Sequence, residues 1–338
     1  MNIKEQVKEL WKLCFDDTDE FIEMYFKRCY SDDNNLFLLD KGNVISALQM
    51  IPFPMTFCGG EINTSYISGA CTHPVERGKG AMEKLLLQSL RRMKQQNILF
   101  SSLIPAEPWL FDYYNRMGYA GIFNYSERRV PIPNVTPSRE WQVHNHTEPN
   151  KELYSYLAGK MSERSCCIQH TRLNYQAVIE DLVLSGGNLL SIHQKDKIAG
   201  VAFVLPSTGT ITVTELFSEN KEAANRLLHQ AGHLFGQSEA VIISPVGVGD
   251  TSLPLGMGRI VDALGILQLY AAANPELAMK FELTDGQLPE NNGFYTLEKG
   301  KCRKEQGDLH INNTRMSISE LTREVFTPQN PYMSLMLN

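Results

Sequence analysis

Between Thr72 and Leu90 the chain reads THPVERGKGAMEKLLLQSL: an apolar stretch ends, two glycines alternate with two cations, and a helical pattern begins. A helix N-terminus presents unpaired N–H groups and the positive end of the backbone dipole, so it attracts phosphate. Gly78 and Gly80 let an anion approach the backbone with no Cβ in the way, and Arg77 and Lys79 add charge. The stretch reads as a pyrophosphate cradle. It is neither G-x-x-x-x-G-K-[ST] nor G-x-G-x-x-G, and RGKG by itself fits a basic surface turn equally well. Cys71, just before it, has no activating histidine marked nearby; His73 reads as a solvated or capping residue. Asp16, Asp17, Asp19 and Glu20 form an acidic cluster that either attracts a polycation or simply caps a helix.

The elements that position these residues fall into three segments, as expected for 338 residues. The first, 1–135, opens with helices at Ile3–Phe15 and Asp19–Tyr30. Strand-like runs follow at Leu36–Asp40, Val44–Pro52 and Met55–Ala70, the last broken by a CGGE hairpin turn. Then come the helix after the cradle, a strand at Ile98–Ile104, and a helix ending near Gly118. The proline-bearing RRVPIPNVTPSRE marks a boundary.

The second segment, 136–250, repeats this order more weakly: helices near Lys151–Met161 and Tyr175–Ser185, three strands, a helix at Lys221–Phe235 and a strand at Glu239–Ser244. Where the first copy has ERGKGA the second has SENKEA, Ser218–Ala223, without glycine, so it cannot cradle an anion in the same way. The third, 251–338, has an apolar helix in RIVDALGILQLYAAA, strands in LAMKFELTD, FYTLEKG and GDLHIN, and a last helix opening on a Ser317/Glu320 capping box. An exposed tail, TPQNPYMSLMLN, follows, its last part apolar enough to tuck in.

A net charge of −6 argues against general nucleic-acid binding and mildly favours a cationic partner. Seven cysteines without metal-ligand spacing point to reduced, packing thiols and no metal. No apolar run reaches membrane-span length, and the charged amphipathic opening is no signal peptide; a cytoplasmic protein without membrane contact is expected.

Context sharpens the cradle. YISGACTHP before it and ILFSSLIPAEPWLFDYYNRMGYA after it resemble the GCN5-related N-acetyltransferases (GNAT), whose R-x-x-G-x-[GA] signature follows a strand and opens a helix. Their second hallmark, an aromatic-Tyr pair shortly before Gly-aromatic, corresponds to Tyr113, Tyr114, Gly118 and Tyr119. The signature's last small residue is Met82 here, and the position often held by a pantetheine-binding Asn is Glu107. A bulky residue at Met82 is typical of the enhanced-intracellular-survival (Eis) branch. In that branch an active GNAT domain is followed by a degenerate copy and a sterol-carrier-protein-like domain.

The resemblance implies an α+β fold of tandem GNAT domains plus a sterol-carrier-like domain, and acetyl transfer from acetyl-CoA to an amine of unknown identity. By the same resemblance, Ala70, Cys71 and Thr72 pair with the pantetheine arm and Arg77, Gly78, Lys79, Gly80, Ala81 and Met82 hold the pyrophosphate. Tyr114 is then the general acid, the terminal carboxylate of Asn338 the base, the acidic cluster one wall of the acceptor site, and the assembly a hexamer. Leu264, Ile266, Leu267, Leu269 and Tyr270 of the third segment are expected to pack rather than bind lipid. Two other functions stay open: a non-catalytic CoA-binding sensor, and a protein or peptide acetylase.

Overall fold

The computed structural model describes residues 2–305 and 314–337. Two helices open the chain, α1 (Ile3–Cys14) and α2 (Asp19–Arg28), each started by a side chain that accepts a first-turn N–H, Asn2 from Glu5 and Thr18 from Phe21. An antiparallel meander follows: β1 (Asn35–Asp40), β2 (Asn43–Phe57) and β3 (Gly60–Thr72). The expected hairpin turn is there, with positive φ at Cys58 (52°) and Gly59 (77°), as a tight primed turn requires. Then come α3 (Ala81–Gln95), β4 (Phe100–Leu103), α4 (Leu110–Arg116) and β5 (Ala120–Pro131).

The second copy comprises β6 (Trp141–His146), α5 (Lys151–Ser162), α6 (Arg172–Leu184), β7 (Asn188–Gln194), β8 (Lys197–Ser207), β9 (Thr210–Ser218), α7 (Lys221–Phe235) and β10 (Glu239–Ser244). Neither β6 nor, in the first copy, β5 was expected from the sequence. The likeness of the copies extends to register: β3 runs parallel to β4 over Thr64–Tyr66, and β9 parallel to β10 over Ile211–Val213. Both copies join one eleven-stranded sheet, ordered β1-β2-β3-β4-β11-β5-β10-β9-β8-β7-β6.

The strand β11 (Leu253–Ile260) is the main departure from expectation. It belongs to the third segment by sequence yet lies between β4 and β5, antiparallel to both. The boundary at 251 is therefore crossed by a shared sheet and does not divide the chain into independent bodies. The helix expected from Arg259 onward begins only at Ala263, as α8 (Ala263–Ala273), because the Asp262 side chain caps it by accepting from Gly265 N–H at 3.3 Å. Gly256 to Ile260 of β11 are all buried, so both faces of the strand's end are covered and, Arg259 apart, it merges by pattern into the apolar helix behind.

The remaining elements are β12 (Met279–Thr284), β13 (Gly293–Glu298), β14 (Lys301–Glu305), β15 (Thr314–Ser317) and α9 (Ile318–Phe326), forming a four-stranded sheet ordered β14-β13-β12-β15. The capping box at Ser317 and Glu320 is present. The strand expected in GDLHIN lies outside the described residues.

This C-terminal unit packs on the first sheet. Ile266 and Leu267 of α8 are fully buried, Leu264 and Tyr270 pack partly buried against the same core, and only Leu269 stays 40% exposed. Burial on this scale contributes about 1.5–3 kcal/mol per large apolar side chain. Phe326 of α9 completes the seam, with its ring centroid 5.0 Å from that of Phe57 and 4.6 Å from that of Phe100. Among the described residues no helix is long and apolar enough to cross a membrane.

Candidate active site

Among the described residues, β3 has no strand partner on its β4 side after Tyr66: the parallel pairing stops there, while β3 continues to Thr72 along β2. The diverging strands leave a free edge of backbone donors and acceptors, to which an extended ligand can add like another strand. A cleft of about 770 Å³ opens beside that edge. Ala70, Cys71 and Thr72 line its strand side, and Arg77, Gly78, Gly80, Ala81 and Met82 line its far end. Lys79 alone among the expected cradle residues stands outside the lining, its ammonium 3.1 Å from the Glu76 carboxylate.

Gly80 is the N-cap of α3 in left-handed conformation (φ 81°), and Gly78 shares that conformation (φ 75°). A Cβ at either would meet no atom within 4 Å, so the backbone there faces open space. No side chain caps α3. In the second copy, Asn220 caps α7 by accepting from Ala223 N–H at 2.9 Å. One helix start is thus left for an anion, and its counterpart is closed by its own side chain. The Arg77 Nε donates to the Thr72 carbonyl at 3.1 Å, holding the guanidinium at the junction of strand and cradle.

Tyr114 forms the inner wall. It is 7% exposed, and burial, followed by the neighbouring Tyr119 and Tyr113, pushes its phenol well above the ordinary value. It is a proton-holding donor at any working pH. Its position is fixed from below. Tyr119, behind it in the core, shares a 2.7 Å hydrogen bond with Ser101 of β4. Gly118 (φ 83°) ends α4, and a Cβ there would sit 2.2 Å from Nη1 of the buried Arg259. The Gly-aromatic pair thus seats the Tyr114 helix on β4 and β11.

Glu107, Trp109 and Leu110 also line the cleft, as do Cys14, Phe15 and Asp16 at and just after the end of α1. Glu107 and Asp16 were among the expected residues; Cys14, Phe15, Trp109 and Leu110 were not. Trp109, a large apolar residue 65% exposed just before a helix, was the one signal available. The acidic cluster divides: Asp16 faces the cleft, Asp17 accepts from Trp11 Nε1 at 2.7 Å, and Asp19 pairs with Lys12 at 2.6 Å. His73 makes no side-chain cap, and its Nδ1 is buried without a partner.

The tail is tucked in. Tyr332 and Met333 are buried, Tyr332 exchanges backbone hydrogen bonds with Cys166 and Ile168, and His170 Nε2 lies 3.0 Å from the Ser334 carbonyl. Leu335, Met336 and Leu337 close a cavity of about 20 Å³ against Tyr25, Phe53, Tyr66 and Ser68, room for one water. Leu337 also packs on the cluster containing Cys71. Asn338 lies outside the described residues.

Residues 3–122 match the acetyltransferase (GNAT) domain family. That span holds the whole cleft lining, so the GNAT match and the geometry coincide. Solved structures show the same fold along the rest of the chain. A GCN5-related N-acetyltransferase from Anabaena variabilis superposes with a TM-score of 0.76 at 18% identity, covering 96% of this chain and 89% of its own. A probable N-acyltransferase from Enterococcus faecalis gives 0.75 at 18% (95% and 86%), and Eis1 from Mycobacterium abscessus 0.68 at 14% (96% and 87%). No curated protein matches the sequence. The fold is α+β, with a first half that contains the residues matching the GNAT domain and a second, similarly built half in the same sheet.

Proposed function

We propose that the chain transfers an acetyl group from acetyl-CoA to a primary amine by direct attack. The observation that carries this reading is the cleft itself: a free strand edge running from Ala70 to an uncapped helix start, with one buried phenol on its wall. The edge suits the two amides of a pantetheine arm, and the α3 start with Arg77 suits its pyrophosphate. Asp16, Glu76 and Glu83 also line the cleft, so anion binding rests on the backbone N–H groups and Arg77 rather than on net local charge. Arg77→Glu is expected to weaken acetyl-CoA binding by about tenfold or more, as for a lost charge-assisted hydrogen bond. Isothermal titration measures it, and unchanged affinity would show the cradle misassigned.

In the transfer, a neutral amine attacks the thioester carbonyl, a backbone N–H near Cys71 donates to the developing oxyanion, and Tyr114 donates to the departing sulfur. A phenol raised by burial is a weaker acid than an ordinary thiol near 8.5. Desolvation raises a thiolate in the same cleft as well, so Tyr114 hydrogen-bonds the departing sulfur, passes its proton to it as the C–S bond breaks, and is reprotonated from solvent. The terminal carboxylate of Asn338 takes the amine's proton. Leu337 packs on the hydrophobic cluster that contains the cleft residue Cys71, which supports this role. Deleting Leu337 and Asn338 is expected to lower kcat with little change in acetyl-CoA affinity; unchanged rates would remove the tail from the mechanism. Hexamer formation and a sterol-carrier-like kinship of the C-terminal unit belong to the same proposal.

Incubating the protein with acetyl-CoA and a panel of polyamines, aminoglycosides, amino acids and peptides, with mass-spectrometric detection of acetylated products, tests the reaction and narrows the acceptor. Acetyl-CoA bound without any product would favour a sensor. No binding and no product would reduce the cradle to a basic turn.

A further inference from the structure

Two thiols meet at the inner end of the cleft. Cys14 is the last residue of α1 and is partly exposed on the cleft wall; Cys71 lies on β3 and is buried. Cys14 packs on the cluster that contains Cys71, and its thiol donates to the carbonyl of Thr72, the next residue along β3, at 3.4 Å. The same carbonyl accepts from Arg77 Nε at 3.1 Å. The guanidinium is thereby placed beside the Cys14 sulfur, with His73 also near.

We propose that Cys14 and Cys71 form a site for thiol–disulfide exchange with small disulfides, Cys14 attacking and Cys71 resolving. The Cys14 thiolate attacks one sulfur of R–S–S–R, forming Cys14–S–S–R and expelling R–S⁻. Cys71 then gives up its proton to solvent and attacks the Cys14 sulfur, expelling the second R–S⁻. The pair loses two electrons and the small disulfide gains them. The closed bond ties the end of α1 to β3 across the inner end of the cleft, and any reducing thiol reopens it.

The electrostatics divide the roles. The C-terminal end of the α1 dipole opposes a thiolate at Cys14, as do Asp16 and Glu76 on the cleft wall. The neighbouring Cys71 thiol and then Arg77 outweigh these and partial burial, lowering the Cys14 thiol to about 6, while Cys14 and burial raise Cys71. Cys58, also partly exposed but without a cation, is raised to about 11 by burial and serves as an internal reference.

This inference needs only the thiols and stands apart from the acyl-transfer reading. Its test is treatment of the full chain with cystamine at neutral pH, acid quenching and peptide mass mapping. Cys14 should react about tenfold or more faster than Cys58, the thiolate fraction being partly offset by lower nucleophilicity. The wild-type chain should then close to a Cys14–Cys71 disulfide, C71S should stop at the Cys14 adduct, and C14S should leave Cys71 unreacted. Early wild-type time points capture the same adduct if C71S does not fold. Reaction of Cys14 no faster than Cys58, an adduct that never closes, or labelling of Cys71 in C14S would overturn the proposal.

Discussion

Turnover of Tyr114→Phe is expected to fall about a hundredfold or more, the range of a lost general acid, with acetyl-CoA affinity held within about twofold. The substitution removes one oxygen and leaves the ring among Tyr113, Tyr119 and the α3 residues that enclose it. Because burial raises the phenol, the hydroxyl keeps its proton below its ordinary value of about 10. The wild-type pH profile should therefore show no alkaline loss from Tyr114 up to that point. Stopped-flow turnover alongside a direct binding measurement separates the outcomes: parallel loss of rate and affinity would make Tyr114 a packing residue.

Asp285→Ala is expected to cost about 3–5 kcal/mol of stability, the penalty of leaving a buried charge without its partner. Arg259 and Asp285 are both fully buried, with Nη2 at 2.9 and 3.2 Å from the two carboxylate oxygens. The carboxylate also accepts from Asn291 Nδ2 at 2.9 Å and from the backbone N–H groups of Gln287 and Leu288 at 3.0 Å. Among the described residues the Arg259 side chain makes no other hydrogen bond, its Nε and Nη1 being buried and unbonded. The pair ties β11 to the loop after β12, and Gln287 carries the tie onward by donating to the Arg116 carbonyl at the end of the Tyr114 helix at 3.0 Å. The double substitution Arg259→Met with Asp285→Leu should recover most of the loss, because two apolar groups leave no orphaned charge. Urea unfolding followed by fluorescence measures both variants, and a loss under about 1 kcal/mol in Asp285→Ala would contradict this account.

The local parts of the site were legible because their chemistry is local. An alternating glycine–cation run fixes the left-handed entrance to α3 within a few residues, and Tyr114 and Gly118 sit on one short helix and the turn that ends it. SENKEA already carried Asn220, the side chain that closes the second helix start. The long-range parts were not legible. Nothing in LPLGMGRI names β4 and β5 as its neighbours, and two glycines and a proline weaken its strand signal. The role of Cys14 depends on Arg77 and Cys71, residues distant in sequence. Arg259 and Asp285 stand 26 residues apart, and only the fold brings the two together in the core.

The position of β11 also governs how the chain can be made. A ribosome releases the N-terminal half first, yet β4 and β5 enclose a gap that only Leu253–Ile260 fills. Until that strand emerges, after the whole second copy, the nascent sheet carries two unpaired edges of buried character, open to pairing with another chain. A truncation ending at residue 250 should thus be recovered as aggregate although it retains every residue of the cleft, and supplying 251–338 on a second polypeptide during translation is the arrangement that would rescue it.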